Sequence, residues 1–188
     1  MTEDLAEFPD SVPFSVRQAW QNKIEVCSAD QVEFCVDQLA VRMAVALQDQ
    51  DPIFIVVQHG GAVFAGMLAR RLAFPCQWGY VHVSRYGDQL KPGELRWVAV
   101  DTPELEDRFV VFIDDIADEG ITLASLESWA VEQGARAVQQ AVLVRRPATC
   151  QIEPDYVGLD VQDGFLVGCG MDVEGYGRNL GGIYRLPE

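Results

Sequence analysis

The residue types best suited to chemistry crowd into one short stretch, Asp114-Asp115-Ile116-Ala117-Asp118-Glu119-Gly120-Ile121-Thr122. Adjacent carboxylates such as Asp114 and Asp115 repel, and each raises the proton affinity of the other unless a cation or a hydroxyl-bearing ligand intervenes. A hard cation such as Mg2+, bound partly through substrate oxygens, resolves that conflict. Gly120 permits the sharp turn that must follow. The backbone N–H groups of residues 118–122 then point outward at a helix N-terminus, where they cradle an anion, with the Thr122 hydroxyl as an added donor. One loop thus offers acids for sugar hydroxyls or metal, amides for a phosphate, and Asp118 between them. A ligand carrying ribose and a 5′-phosphate satisfies all of these groups. The competing reading makes the acids ordinary first-turn residues stabilised by the helix dipole. Three acids with Gly and Thr after a buried strand favour the ligand.

The elements that position this loop follow from periodicity. Phe109–Ile113 is a continuous apolar run of the kind a buried parallel strand requires. It places the acids at the strand tip, ahead of a helix over 122–133 that Gly134 ends. Ile53–Val57 is a second such run, broken by Gly60-Gly61; Phe64, Met67, Leu68 and Leu72 then mark a helix. Ser28-Ala29-Asp30-Gln31 reads as a capping box before Val32, Val36, Leu39, Ala40, Met43 and Leu47 at helical spacing. Further strands are expected at 79–83, 96–100 and 138–144. Residues 1–14 read as a loose lead-in. The alternation of strand and helix predicts an α/β fold with a central parallel sheet flanked by helices. Ligands in such sheets sit outside the carboxyl ends of the strands. Three strand ends carry unusual residues: Gln58-His59-Gly60-Gly61, the 114–122 loop, and Arg145-Arg146. The long excursion over 84–107 has the character of a lid.

With 188 residues, 49% hydrophobic and 23% charged, the composition is that of one ordinary globular domain. Fourteen basic residues against 29 acidic ones give a formal charge of −15. That balance works against nucleic-acid and anionic-membrane partners, which need a basic footprint. No apolar run approaches the ~20 residues of a membrane-spanning helix. The acidic start lacks the basic-then-apolar order of a secretory signal. The five cysteines include no CxxC pair, so they read as small packing residues in a reduced cytoplasm.

The segment Val111–Thr122 resembles the phosphoribosyl-pyrophosphate signature of the type I phosphoribosyltransferases, and most of all their hypoxanthine-guanine branch. Val57-Gln58-His59-Gly60-Gly61 is similar to that family's pyrophosphate loop, and Ser84-Arg85-Tyr86 to the start of its flexible lid. Pro154–Gly158 and Phe165–Gly168 resemble the purine-site hood; Met171-Asp172, Tyr176 and Arg178-Asn179 resemble the closing segment. The resemblance covers residues 30–185. It implies a single domain over 1–188, with a lid at 84–107 and the C-terminal part of a small hood at 150–188.

The implied reaction is displacement of pyrophosphate from phosphoribosyl pyrophosphate by N9 of a 6-oxopurine, hypoxanthine or guanine, in purine salvage, with Mg2+. Resemblance assigns Asp114 and Asp115 to the ribose hydroxyls and metal, and Asp118 to proton transfer at purine N7. Glu119, Gly120, Ile121 and Thr122 hold the 5′-phosphate. His59, Gly60, Gly61 and Arg178 meet the pyrophosphate. His59 either donates to it when protonated or is held neutral by a backbone carbonyl. Arg145 stands where the family has a purine-binding Lys; its fork binds O6 and N7 together or pairs with a surface acid. Phe165 stacks on the purine, while Leu166 and Asp172 read its edge, and Asp172 also approaches a second metal. Ser84, Arg85 and Tyr86 close over the site. The pyrophosphate loop of the family carries a cis peptide, which here falls at Gln58-His59. The family is dimeric or tetrameric. Two alternatives remain: a regulator that senses phosphoribosyl pyrophosphate or nucleotide on the same fold, and a xanthine-preferring transferase.

Overall fold

Hydrophobic alternation on both faces of one sheet organises the chain, for which the computed structural model describes residues 8–84 and 96–187. Its elements run α1 (Phe14–Asn22), β1 (Ile24–Cys27), α2 (Ala29–Leu47), β2 (Ile53–Gln58), α3 (Gly61–Ala69), β3 (Gln77–Ser84), β4 (Arg96–Asp101), β5 (Phe109–Ala117), α4 (Ile121–Glu132), β6 (Ala137–Arg145), β7 (Tyr156–Asp160), β8 (Phe165–Val167) and β9 (Ile183–Leu186). A six-stranded sheet has the order β4-β3-β2-β5-β6-β7. Neighbouring strands are parallel throughout, except that β4 runs antiparallel to β3 at the edge.

Strands buried on both faces send successive residues to opposite sides. Phe54, Val111, Ile113 and Leu143 pack with Val36, Leu39, Met43, Phe64 and Leu68 of α2 and α3. Ile53, Ile55, Phe112 and Val142 pack on the other side with Leu123, Leu126 and Ala130 of α4. Each fully buried Phe, Leu or Ile contributes about 1.5–3 kcal/mol relative to exposure. The predicted capping box opens α2: the Gln31 N–H donates to Ser28 Oγ at 3.3 Å, and the Ser28 N–H to Gln31 Oε1 at 2.8 Å.

The structure departs from expectation in β5. The strand does not end at Ile113 but continues to Ala117, because β6 is long enough to pair Asp114 with Val142 and Ile116 with Val144. The acids therefore emerge on opposite faces of a strand rather than from a free tip. A second, three-stranded antiparallel sheet of order β1-β9-β8 forms the hood and draws its first strand from near the N-terminus. Helix α1 lies in a stretch for which no element was expected. Of the expected lid, Arg85 and Tyr86 lie outside the described residues, while Ser84 ends β3 opposite Arg96.

Candidate active site

The turn from β5 into α4 is set by Gly120, at φ 80°. That left-handed conformation suits glycine, and a methyl group there would sit 2.6 Å from Ile152. No side chain caps α4, so the N–H groups of its first turn face a cleft of about 240 Å3. Asp114, Asp118, Glu119 and Thr122 line it. Glu119 is an exposed residue beside the amides of that turn.

Asp114 and Asp115 diverge. Asp115 shares the sheet face of Val111 and Ile113, and it is 7% exposed. Its Oδ1 accepts from the Ile116 N–H at 2.8 Å, while the Asp115 N–H donates to Asp114 Oδ1 at 3.0 Å. Burial pushes the Asp115 carboxyl above its usual range; hydrogen bonds from its neighbours and the charge of Arg178 oppose that shift. The carboxyl group lies directly under the β2–α3 loop: a Cβ on Gly60 would come within 2.2 Å of it. This loop carries the cis peptide at Gln58-His59. The His59 and His82 rings, the two histidines of the chain, meet edge to face with centroids 4.4 Å apart.

A second cleft of about 230 Å3 adjoins the first and shares Asp115, Ile116 and Asp118 with it. Arg146, Phe165, Leu166, Met171 and Asp172 complete its walls. Phe165 is 57% exposed, so its ring is available for stacking, whereas Leu166 is buried. Asp118 Oδ1 accepts from Thr149 Oγ1 at 3.0 Å and lies 3.5 Å from Arg146 Nε. The latter is an ion-pair distance, too long for a well-formed hydrogen bond. Arg146 Nε is thus a buried donor without a hydrogen-bond partner, while another guanidinium nitrogen donates to Gly164 O.

Of the two arrangements expected for Arg145, the structure shows the pairing with acids. Arg145 donates to both oxygens of Asp160, at 2.8 and 3.0 Å, and pairs with Glu153. Asp160 is its register partner on β7, and opposite charges across a strand pair attract. Arg145 in turn holds the Asp160 carboxyl below its usual range. Arg146 turns the other way, with its N–H on Ala117 O at 3.0 Å, and becomes the guanidinium of the cleft.

Asp172 is committed to hood contacts. Its Oδ1 is 2.5 Å from Arg178 Nη2, and its Oδ2 accepts from the Gly175 N–H at 2.6 Å. Arg178 also donates to Gly170 O at 2.5 Å, and Gly170 abuts the Gly60 carbonyl. Among the described residues, no group of three or more His, Cys, Asp or Glu side chains is gathered to hold a metal ion. Asp114 and Asp115 remain the donors that fit Mg2+, a cation that takes one or two carboxylates and completes its shell with substrate oxygens and water.

Residues 28–174 match the phosphoribosyl transferase domain. A hypoxanthine-guanine phosphoribosyltransferase of Mycobacterium bovis is 30% identical over 144 residues, 75% of this chain and 71% of that protein. The chain belongs to the phosphoribosyl transferase family, among the hypoxanthine-guanine enzymes. A relative of the same description from Bacillus subtilis is 28% identical over 156 residues, 81% of this chain and 87% of that protein. The crystal structure of a hypoxanthine-guanine phosphoribosyltransferase from Bacillus anthracis shares its fold with a TM-score of 0.81 at 26% identity, covering 88% of this chain and 99% of that one.

On this phosphoribosyl transferase fold, the structure brings Asp114, Asp115, Asp118, Gly120, Ile121 and Thr122 together at one cleft, and Phe165, Leu166 and Asp172 at the next. Gly60 and Gly170 join the β2–α3 loop to both through Asp115. Sequence reasoning marked Arg146 only as part of an unusual strand end and gave Thr149 no place, whereas the structure sets Arg146 in the second cleft and Thr149 on Asp118. The strand alternation that separates Arg145 from Arg146 was a usable signal for the first. No sequence signal marked Thr149, which reaches Asp118 only because β6 lies beside β5.

Proposed function

We propose that the chain transfers the 5-phosphoribosyl group from phosphoribosyl pyrophosphate to N9 of hypoxanthine or guanine, releasing pyrophosphate. The observation that carries this reading is Asp118 lining both adjoining clefts, one a helix N-terminus suited to phosphate, the other walled by an exposed aromatic ring and a guanidinium. A ligand spanning both clefts has phosphate at one end and a planar base at the other.

In this reading, the amides of Glu119 to Thr122 and the Thr122 hydroxyl hold the 5′-phosphate. Asp114 and Asp115 face the ribose hydroxyls and carry Mg2+, which when bound neutralises pyrophosphate charge and orients the donor. The raised proton affinity of Asp115 supports this, because a nearby cation would relieve it. Asp118 exchanges a proton with purine N7. Arg146 replaces Arg145 as donor to O6, and its buried Nε, lacking a hydrogen-bond partner, supports that role. Phe165 stacks on the base and the Leu166 backbone reads its edge. Gly60 and Gly61 let the main chain approach pyrophosphate, with His59 and Arg178 as its neighbours. Asp172 acts through Arg178. The whole chain works as one domain, with Ser84, Arg85 and Tyr86 in a lid over 84–107 that excludes water from the ribosyl centre. It assembles as a homodimer or homotetramer, a reading supported by Phe34, Val41 and Val45 exposed along α2. No helix among the described residues is long and apolar enough to cross a membrane.

The test is the initial rate of pyrophosphate release with hypoxanthine, guanine and xanthine in turn, with Mg2+ and phosphoribosyl pyrophosphate. Turnover with hypoxanthine or guanine is expected. An enzyme inert to all three bases sinks the proposal, and preference for xanthine changes its substrate.

A further inference from the structure

The turn after β6 is tied to the end of β5 at three successive residues. The Arg146 N–H donates to Ala117 O at 3.0 Å, and the Gln151 N–H to Glu119 O at 3.0 Å. Between them, Thr149 Oγ1 lies 3.1 Å from Asp118 O and 3.0 Å from Asp118 Oδ1. The turn itself does not need this hydroxyl. Its backbone is closed by the Thr149 and Cys150 N–H groups, which donate to Arg146 O at 3.2 and 2.9 Å. What the hydroxyl adds is a hold on the Asp118 side chain. It bridges the main-chain and side-chain oxygens of one residue, which restricts the rotation of that carboxylate. Among the described residues, the polar contacts of the carboxylate fall on Oδ1, from Thr149 and from Arg146. The second oxygen, Oδ2, is thereby left for a ligand in the cleft.

We propose that Thr149 is a positioning residue for Asp118: its hydroxyl occupies Oδ1 and sets the rotamer in which Oδ2 meets the proton of the incoming base. This rests on the reading of Asp118 as the proton-transfer group. A carboxylate free to rotate spends less time in the productive geometry, so the loss falls on the chemical step and spares binding of the donor. Thr149 is exposed, so the hydroxyl competes with water and its effect is moderate.

The experiment compares Thr149→Val, which keeps the shape and removes the donor, with Thr149→Ser, which keeps the donor. With hypoxanthine and phosphoribosyl pyrophosphate, the valine variant is expected to lose roughly fivefold in kcat, in line with one ordinary hydrogen bond that competes with water, while KM for the donor stays within about twofold. Serine should recover most of the loss. In an Asp118→Asn background, the valine change should add nothing, because the carboxylate it serves is gone. Unchanged kcat in Thr149→Val overturns the proposal. So do equal losses in the serine and valine variants, a rise in KM that matches the fall in kcat, or losses that multiply in the double variant. A wild-type enzyme inert to every purine overturns this inference together with the reading beneath it, whereas an active wild type with an indifferent Thr149 overturns this inference alone.

Discussion

The cleft at the start of α4 is built from ten consecutive residues, Asp114–Leu123, whereas the adjoining cleft is assembled from the end of β5, the turn after β6, β8 and the hood loop. In the first, the chain itself carries the geometry: a strand, one left-handed glycine and a helix start follow each other without a break. In the second, each wall depends on another element for its place. Arg146 is aimed by the pairing of its backbone with Ala117, and Phe165 by the antiparallel pairing of β8 with β9.

Substitutions can break or sharpen this contrast. The largest effect belongs to Asp118, which serves both clefts. Asp118→Asn should lower turnover by about 10²–10⁴, while calorimetric binding of phosphoribosyl pyrophosphate changes little; unaltered turnover would remove Asp118 from the chemistry. Next comes the adjacent pair of arginines. Arg146→Met should cost roughly 10–100-fold in kcat/KM for hypoxanthine, the worth of hydrogen bonds from a charged donor. Arg145→Met should cost less than about twofold, since it gives up only a surface pairing with Asp160 and Glu153. The reverse ranking in steady-state kinetics would restore Arg145 to the purine.

Smaller effects concern stability. Gly120→Ala forces a side chain into φ 80° and against Ile152. It should cost about 1–3 kcal/mol, read as a drop in Tm of several degrees. A variant with wild-type Tm would show the turn to be less constrained than its geometry implies. The smallest effect is at Asp115. Its folded-state pKa lies above the ordinary value of 3.8, so the folded state binds its proton more tightly than the unfolded state. The stability it contributes is full below the unfolded pKa and is lost as pH rises through the folded pKa. In metal-free protein, Asp115→Asn should therefore raise Tm at neutral pH, with the gain shrinking toward pH 4. A gain that grows on acidification would contradict the sign.

Much of this was legible without coordinates. Apolar runs of five residues with β-branched members marked β2 and β5, and Ser28 with Gln31 marked the start of α2. These signals are local, as each depends on residues within a turn or a strand of one another. The separation of Arg145 from Arg146 has the opposite origin. Both residues are cationic and adjacent, and only the register of β6 against β5 and β7 decides which faces the cleft and which meets Asp160. The same long register extended β5 through Asp114 and Asp115 and turned Asp115 inward beneath Gly60.

By itself, the sequence determined the strands and helices from α2 to β6 and the turn from β5 into α4, because hydrophobic period, capping and the φ freedom of Gly120 act over a few bonds. Only the tertiary structure decided which arginine turns to the second cleft and that Thr149 reaches Asp118. Those choices follow from the pairing of β6 between β5 and β7, contacts between residues far apart in the chain that no local preference specifies.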